Sequence, residues 1–239
     1  MQSRVTSRLF LFVLAYAFIM SAHAQLENEP VAMDKAPFHV PIFTNDYITM
    51  LRINIPPGRD TGFHTHYFDS VSVNISPALR TNQFYGSTEI IGPSGSEPIP
   101  GRTAFNNVSE RGIYTHKAVN TGPTPFRSVS FIFKDRNSVG AEVSDRSSVS
   151  GYLQIIDNNR VRAWRVILAP GERLGEITQK APGLRIYVRG GVIDELVPGS
   201  PSRGMAPYSG NFIWQDSEQT REIINTGSTI VEFVEFEFK

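Results

Sequence analysis

Short runs of Val, Ile, Phe and Tyr recur along most of the chain, each soon broken by Pro, Gly, Ser or Asn. Runs of this length and composition suit strands joined by tight turns, and no 3.6-residue periodicity long enough for a long helix is present. Segments 47–55, 71–75, 128–133, 162–168, 184–188 and 230–238 are predicted strands. Together they predict an all-β sandwich or barrel. In one of them Leu184, Ile186 and Val188 alternate with Arg185, Tyr187 and Arg189, the pattern of a half-buried strand with its polar face outward. In the last, Glu232, Glu235 and Glu237 interrupt Val and Phe, which predicts a plain core strand with one buried face, its carboxylates discouraging edge-to-edge pairing.

The pattern also repeats. Asn45, Pro57-Gly58 and Gly62 line up with Asn158, Pro170-Gly171 and Gly175 at a constant offset of 113, and Arg52 matches Arg165 in the same frame. Farther on, Val119-Asn120-Thr121-Gly122 lines up with Ile224-Asn225-Thr226-Gly227 at an offset of 105. Loops such as 92–101, rich in Pro, Gly and Ser, absorb the difference of 8 residues. Two homologous domains follow. The predicted organisation is a segment at 25–38, a first barrel at 39–134, a polar serine-rich linker at 135–151 and a second barrel at 152–239.

Ahead of these lies a segment of different character. Arg4 and Arg8 precede an apolar run of 12 residues at 9–20, closed by Ser21-Ala22-His23-Ala24. That is the layout of a cleavable secretory signal, and the run is shorter than the roughly 20 residues that a membrane-spanning helix needs. Residues 1–24 are therefore expected to be removed, leaving an exported protein, periplasmic or secreted, with no membrane partner. The chain has no cysteine, so disulfides cannot stabilise it outside the cytoplasm. Its 23 basic and 23 acidic residues balance, so the long-range attraction to phosphate on which nucleic-acid binders rely is missing. The expected partner is a small molecule, and a homo-oligomer is compatible with the sequence.

Candidate chemistry is concentrated in the first repeat. Residues 57–66, Pro-Gly-Arg-Asp-Thr-Gly-Phe-His-Thr-His, end in His64 and His66 at i and i+2. In a strand that spacing puts both imidazoles on one face. His116 follows His66 by 50 residues, with Asn120 four positions on, and a strand returning beside the first would bring the third ring to the same point. Three imidazoles suit zinc, copper, iron or nickel and leave coordination positions open to water or substrate. The expected cofactor is one divalent transition metal, iron, manganese, nickel, copper or zinc, on His64, His66 and His116.

These motifs resemble those of the cupin superfamily, as two copies spanning almost all of the chain beyond residue 24. Gly58, His64 and His66 match the family's first motif in register, and His116 and Asn120 match the His-x-x-x-Asn that ends its second. The glutamate that usually follows is absent: Ser70 and Val71 stand in its place, and Asp69 is the nearest acid. Arg111, Gly112 and Ile113 keep the second motif's proline and glycine poorly. The resemblance implies a bicupin, two tandem double-stranded β-helix (jelly-roll) barrels, with dioxygenase, isomerase or lyase chemistry on a small organic molecule. In the second copy Ile177, Gln179 and Arg221 replace the histidines, so that barrel is predicted to hold no metal and to serve packing. The alternative is a polar cavity, lined by Gln179, Arg221 and Glu222, that accepts an anion.

Neighbouring residues are given structural roles. Asp69 is read as a turn or imidazole-orienting residue, with a substitute ligand as the alternative. Asn120 is read as a turn former, Tyr67 and Phe68 as core, and His39 as lying near the barrel entry without ligating. Tyr114 and Tyr67 are proton-transfer candidates by proximity alone, and no general base is identified. Asn74-Ile75-Ser76 and Asn107-Val108-Ser109 fit the N-glycosylation acceptor pattern. Three functions remain open: a metal-dependent enzyme, a module binding a small molecule or metal without turnover, and a structural bicupin with a relic site. N-terminal sequencing of the exported protein should read Gln25 first, and exported protein that retains Met1 would eliminate the signal.

Overall fold

The computed structural model describes residues 29–76, 78–93, 99–134 and 140–239. The expected signal at 1–24 and part of the expected linker, 135–139, lie outside the described residues. The first half contributes β1 (Val31–Ala32), β2 (His39–Thr44), β3 (Ile48–Ile55), β4 (His64–His66), β5 (Ser70–Ser76), β6 (Arg80–Phe84), β7 (Thr103–Asn106), a helical turn α1 (Val108–Arg111), β8 (Tyr114–Asn120) and β9 (Phe126–Phe133). The second contributes β10 (Leu153–Asp157), β11 (Val161–Leu168), β12 (Ile177–Gln179), β13 (Gly183–Arg189), β14 (Ile193–Leu196), β15 (Arg203–Met205), β16 (Phe212–Gln215), β17 (Gln219–Asn225) and β18 (Val231–Phe238). All six predicted strands are present. Among the described residues no helix is long and apolar enough to cross a membrane.

Each half folds a five-stranded sheet against a four-stranded one. The orders are β2-β3-β9-β5-β7 with β1-β4-β8-β6, then β10-β11-β18-β13-β16 with β12-β17-β14-β15. The repeat predicted from sequence has a physical cause at its two asparagines. Asn120 donates from Nδ2 to the carbonyls of Ile55 (2.9 Å) and Thr124 (2.8 Å) and accepts from the Gly122 amide (3.0 Å). Asn225 makes the same three bonds, to Leu168 (2.9 Å), Thr229 (2.8 Å) and Gly227 (3.0 Å). Each clamp ties the last strand of the small sheet to the large one. Asn120 is thus the turn former expected.

The two five-stranded sheets pack face to face. Ile48, Met50, Val71, Val73, Ile75, Val129, Phe131 and Phe133 of the first form one buried cluster with Val161, Ala163, Leu184, Ile186, Val188, Val234, Phe236 and Phe238 of the second. Phe131 meets Phe236 edge-on with ring centroids 5.1 Å apart. Because side chains alternate along a strand, the other faces of these strands line the barrel interiors. Ser70, Ser72, Asn74, Ser128 and Ser130 therefore lie inside the first barrel, opposite its apolar outer face.

This double coverage corrects two expectations. Arg185 and Tyr187 are fully buried inside the second barrel, while Leu184, Ile186 and Val188 pack on the first. β18 is the core strand expected, between β11 and β13, but its Glu235 and Glu237 are inside the barrel rather than guarding an edge. The described part of the serine-rich stretch is no free tether either, since Ser144 and Arg146 are buried against Glu237 and Glu235. Asn74 is buried inside the first barrel and Asn107 caps α1, so neither acceptor triplet presents a free surface asparagine.

Phe236→Ala empties a site at the centre of the shared core and should cost about 3–5 kcal/mol. Calorimetry should show both barrels melting in one transition, earlier than in the wild type.

Candidate metal centre

Strand pairing brings the three histidines together. In the β4–β8 ladder His64 sits directly opposite His116 and His66 opposite Tyr114, so all four rings share the interior face. One ligand nitrogen from each of His64, His66 and His116 can be chosen so that all three lie within 4.8 Å of one another. Nε2 of His66 and Nε2 of His116 are 3.1 Å apart. His64 Nδ1 lies 3.2 Å from the Gly62 carbonyl, which fixes the proton there and leaves Nε2 with a free lone pair. Nδ1 of His66 is buried without a hydrogen-bond partner.

Bonds of about 2.0–2.1 Å to a tetrahedral ion require nitrogens roughly 3.3 Å apart. The observed cluster needs only small rotations of its rings to reach that spacing, and its donor set, one nitrogen from each of three imidazoles, suits a divalent transition metal. The residues present fit a metal. Burial, reinforced by the neighbouring rings of His116 and His39, pushes the His64 pKa down to about 3. Burial and the charges of His116, His64 and His39 take His66 down to about 2. His116 falls to about 4 through burial and the positive charges of Arg80 and His39. All three rings are neutral near pH 7, the form that binds metal.

The residues around the cluster behave less uniformly than their sequence suggested. His39 is buried against it, its ring 5.0 Å from that of His64 and its Nδ1 2.9 Å from the Pro37 carbonyl, but it does not join the three-histidine group. Asp69 is not a substitute ligand. Its carboxylate accepts from the backbone amide (2.8 Å) and hydroxyl (3.0 Å) of Ser109 and faces Arg160 of the second barrel at 3.7 Å. Tyr67 and Phe68 are exposed rather than core and wall a separate hollow of about 210 Å³. Tyr114 stacks on His66 at 4.5 Å and 10°, and burial pushes its phenol up to about 12. It is therefore a hydrogen-bond donor near pH 7 and not a base.

The rings open onto a cavity of about 300 Å³ inside the first barrel, also lined by Ser72, Asn74, Asn82, Asn106, Arg80 and Arg102. Sequence reasoning passed over these polar residues. The usable signal was register: Arg80, Asn82 and Phe84 pair with Asn120, Ala118 and His116, but a strand reading Arg-Thr-Asn-Gln-Phe carries no apolar alternation to announce itself.

In the second barrel the equivalent ladder pairs Ile177 with Arg221 and Gln179 with Gln219, which confirms the alignment of the two copies. Of the three positions equivalent to the histidines, Ile177, Gln179 and Arg221, the last joins a buried ion cluster. Arg185 Nε reaches Glu235 at 2.6 Å, Arg221 Nη2 reaches it at 3.2 Å, and Arg146 pairs with both Glu235 and Glu237. Arg221 also donates to Gln179 at 2.7 Å. Burial alone would raise the Glu235 pKa, but the adjacent Arg221, Arg185 and Arg146 hold it well below the carboxylate range. Glu222 is elsewhere, bonded to Arg173 at the surface. Arg221 and Gln179 are thus parts of a filled interior, not the walls of a cavity with Glu222.

The depressed histidine pKa values set a pH dependence. Between the ordinary value of about 6.5 and the folded-state values, the unfolded chain binds protons that the folded chain refuses, so stability falls as the pH drops. In chelator-treated protein each imidazole should cost up to about 2 kcal/mol between pH 6.5 and 5. Denaturant titrations at those two pH values should show the loss, and His66→Gln should reduce it.

Comparison with known proteins follows the geometry. No protein-family model and no curated protein matches the chain. Solved structures do match. AerE from Microcystis aeruginosa superposes with a TM-score of 0.57 at 10% identity, over 85% of this chain and 98% of that one. Salicylate 1,2-dioxygenase from Pseudaminobacter salicylatoxidans gives 0.55 at 8% identity, over 83% and 76%. A cupin 2 conserved barrel domain protein from Leptotrichia buccalis gives 0.50 at 8% identity, over 91% and 94%. Two barrels in tandem, with three histidines gathered inside the first alone, share the two-barrel cupin fold of these structures.

Proposed function

We propose that the chain is an exported bicupin whose first barrel holds one divalent transition metal on His64, His66 and His116 and acts there on a small organic molecule. The observation that carries this reading is the convergence of three neutral imidazoles, two buried and that of His116 half-buried, on a cavity large enough for a ligand. When bound, such a metal supplies a Lewis-acid or redox centre with positions open to substrate and water, consistent with oxygenase, isomerase or lyase chemistry. The similarity in fold to a salicylate 1,2-dioxygenase supports the oxygenase member of that set by analogy alone.

The chain's own residues do the rest. The Gly62 carbonyl orients His64, and Tyr114 stacked on His66 limits rotation of that ring. The three imidazoles bring no negative charge, so a bound metal would need its charge balanced from outside this set.

A second reading, a module that binds small molecule or metal without turnover, is favoured by one observation. Among the described residues lining the cavity there is no carboxylate and no titratable base apart from the imidazoles. Elemental analysis of tag-free exported protein, reconstituted in turn with iron, manganese, nickel, copper and zinc, decides whether a metal is held. Close to one ion per chain is expected, with at least a tenfold loss in His64→Ala. Failure to retain any of the five metals would remove both metal readings and leave a structural bicupin.

A further inference from the structure

The first barrel's cavity holds two charged side chains that a metal centre leaves unused. Arg80 opens β6 and lies on its inward face, in register with Asn120, two positions from Asn82 and four from Phe84, which is opposite His116. Arg102, itself exposed and placed just before β7, also lines the cavity. Among the described residues, no hydrogen bond or ion pair holds either guanidinium. Arg80 rests on the Phe126 ring, its Cζ 3.8 Å from the centroid.

That arrangement is costly as it stands. Two like charges share one cavity, the imidazoles beside them are neutral, and no described lining residue is acidic. Burial and the charge of Arg102 lower the Arg80 pKa to about 10. A half-buried guanidinium with unused donors is stabilised by an acceptor that brings negative charge. Its planar fork matches the two oxygens of a carboxylate. Asn74, Asn82 and Asn106 offer neutral hydrogen bonds on the same walls, and Ile55, Leu79, Ala104 and Phe126 offer apolar surface to a ligand's body. At about 300 Å³ the cavity sits at the small end of ligand pockets, which run from about 300 to 1,000 Å³.

We infer that the first barrel takes a small organic carboxylate, clamped between Arg80 and Arg102, with the body of the molecule directed toward His64, His66 and His116. The inference deepens the proposed function and rests on it only for what the far end of the molecule meets.

Calorimetric titration of chelator-treated protein with acetate, succinate and benzoate, beside acetamide, succinamide and benzamide, tests the clamp. At least one acid should bind, with its amide at least tenfold weaker. Arg80→Gln and Arg102→Gln should each lose tenfold or more, and Arg80→Lys, which keeps the charge without the fork, should fall between. Since metal is stripped beforehand, a chain that takes no metal can still bind acid, and the two proposals fail separately. Binding of none of the acids, equal binding of acids and amides, or unchanged affinity in both glutamine variants overturns the clamp. So does inorganic phosphate binding more tightly than every acid, which would assign the arginines to a phosphorylated ligand.

Discussion

The structure depends on sealing each five-stranded sheet on both faces. A lone barrel must place its apolar residues inside, because only that face escapes water. Here the outer faces of β3, β5 and β9 are covered by those of β11, β13 and β18, and the shared layer of Val, Ile and Phe supplies much of the burial. The interiors are thereby released from serving as the main core. One can carry serines, asparagines and imidazoles around an open cavity, and the other can carry an ion cluster. Chemistry in the first barrel is made affordable by packing outside it.

The two interiors meet the problem of buried polarity in opposite ways. In the second, Arg146, Arg185 and Arg221 face Glu195, Glu235 and Glu237, so that charge is balanced within the protein. In the first, neutral rings and unpaired guanidiniums leave the balance to be completed from outside. A filled interior suits a stable scaffold, whereas an incomplete one suits a binding site.

The sequence showed what depends on local pattern. Strand segments, the repeat and the paired histidines could all be read, because alternation and turn residues act over a few positions and the Asn clamps impose constant spacing. The third histidine followed from the offset of a returning strand. What could not be read was which face of a strand meets what. Leu184-Arg185-Ile186-Tyr187 has the same alternation whether its polar face meets water or a buried cluster of carboxylates. The glutamates of β18 were misread for that reason: edge protection and interior ion pairing share one sequence signature, and only the sheet order separates them. Arg80 stayed hidden because its strand is polar on both faces.

The ion cluster of the second barrel also decides how that barrel tolerates change. An imidazole placed at Arg221 would remove one of the three cations that neutralise Glu235 and leave a desolvated carboxylate under-compensated, a penalty of about 3–5 kcal/mol when a buried pair is broken. Ring ligands at Ile177 and Gln179 as well would require the cluster to be dismantled in concert. An engineered site in this barrel must therefore replace several charges at once, whereas the walls of the first cavity can be altered one residue at a time.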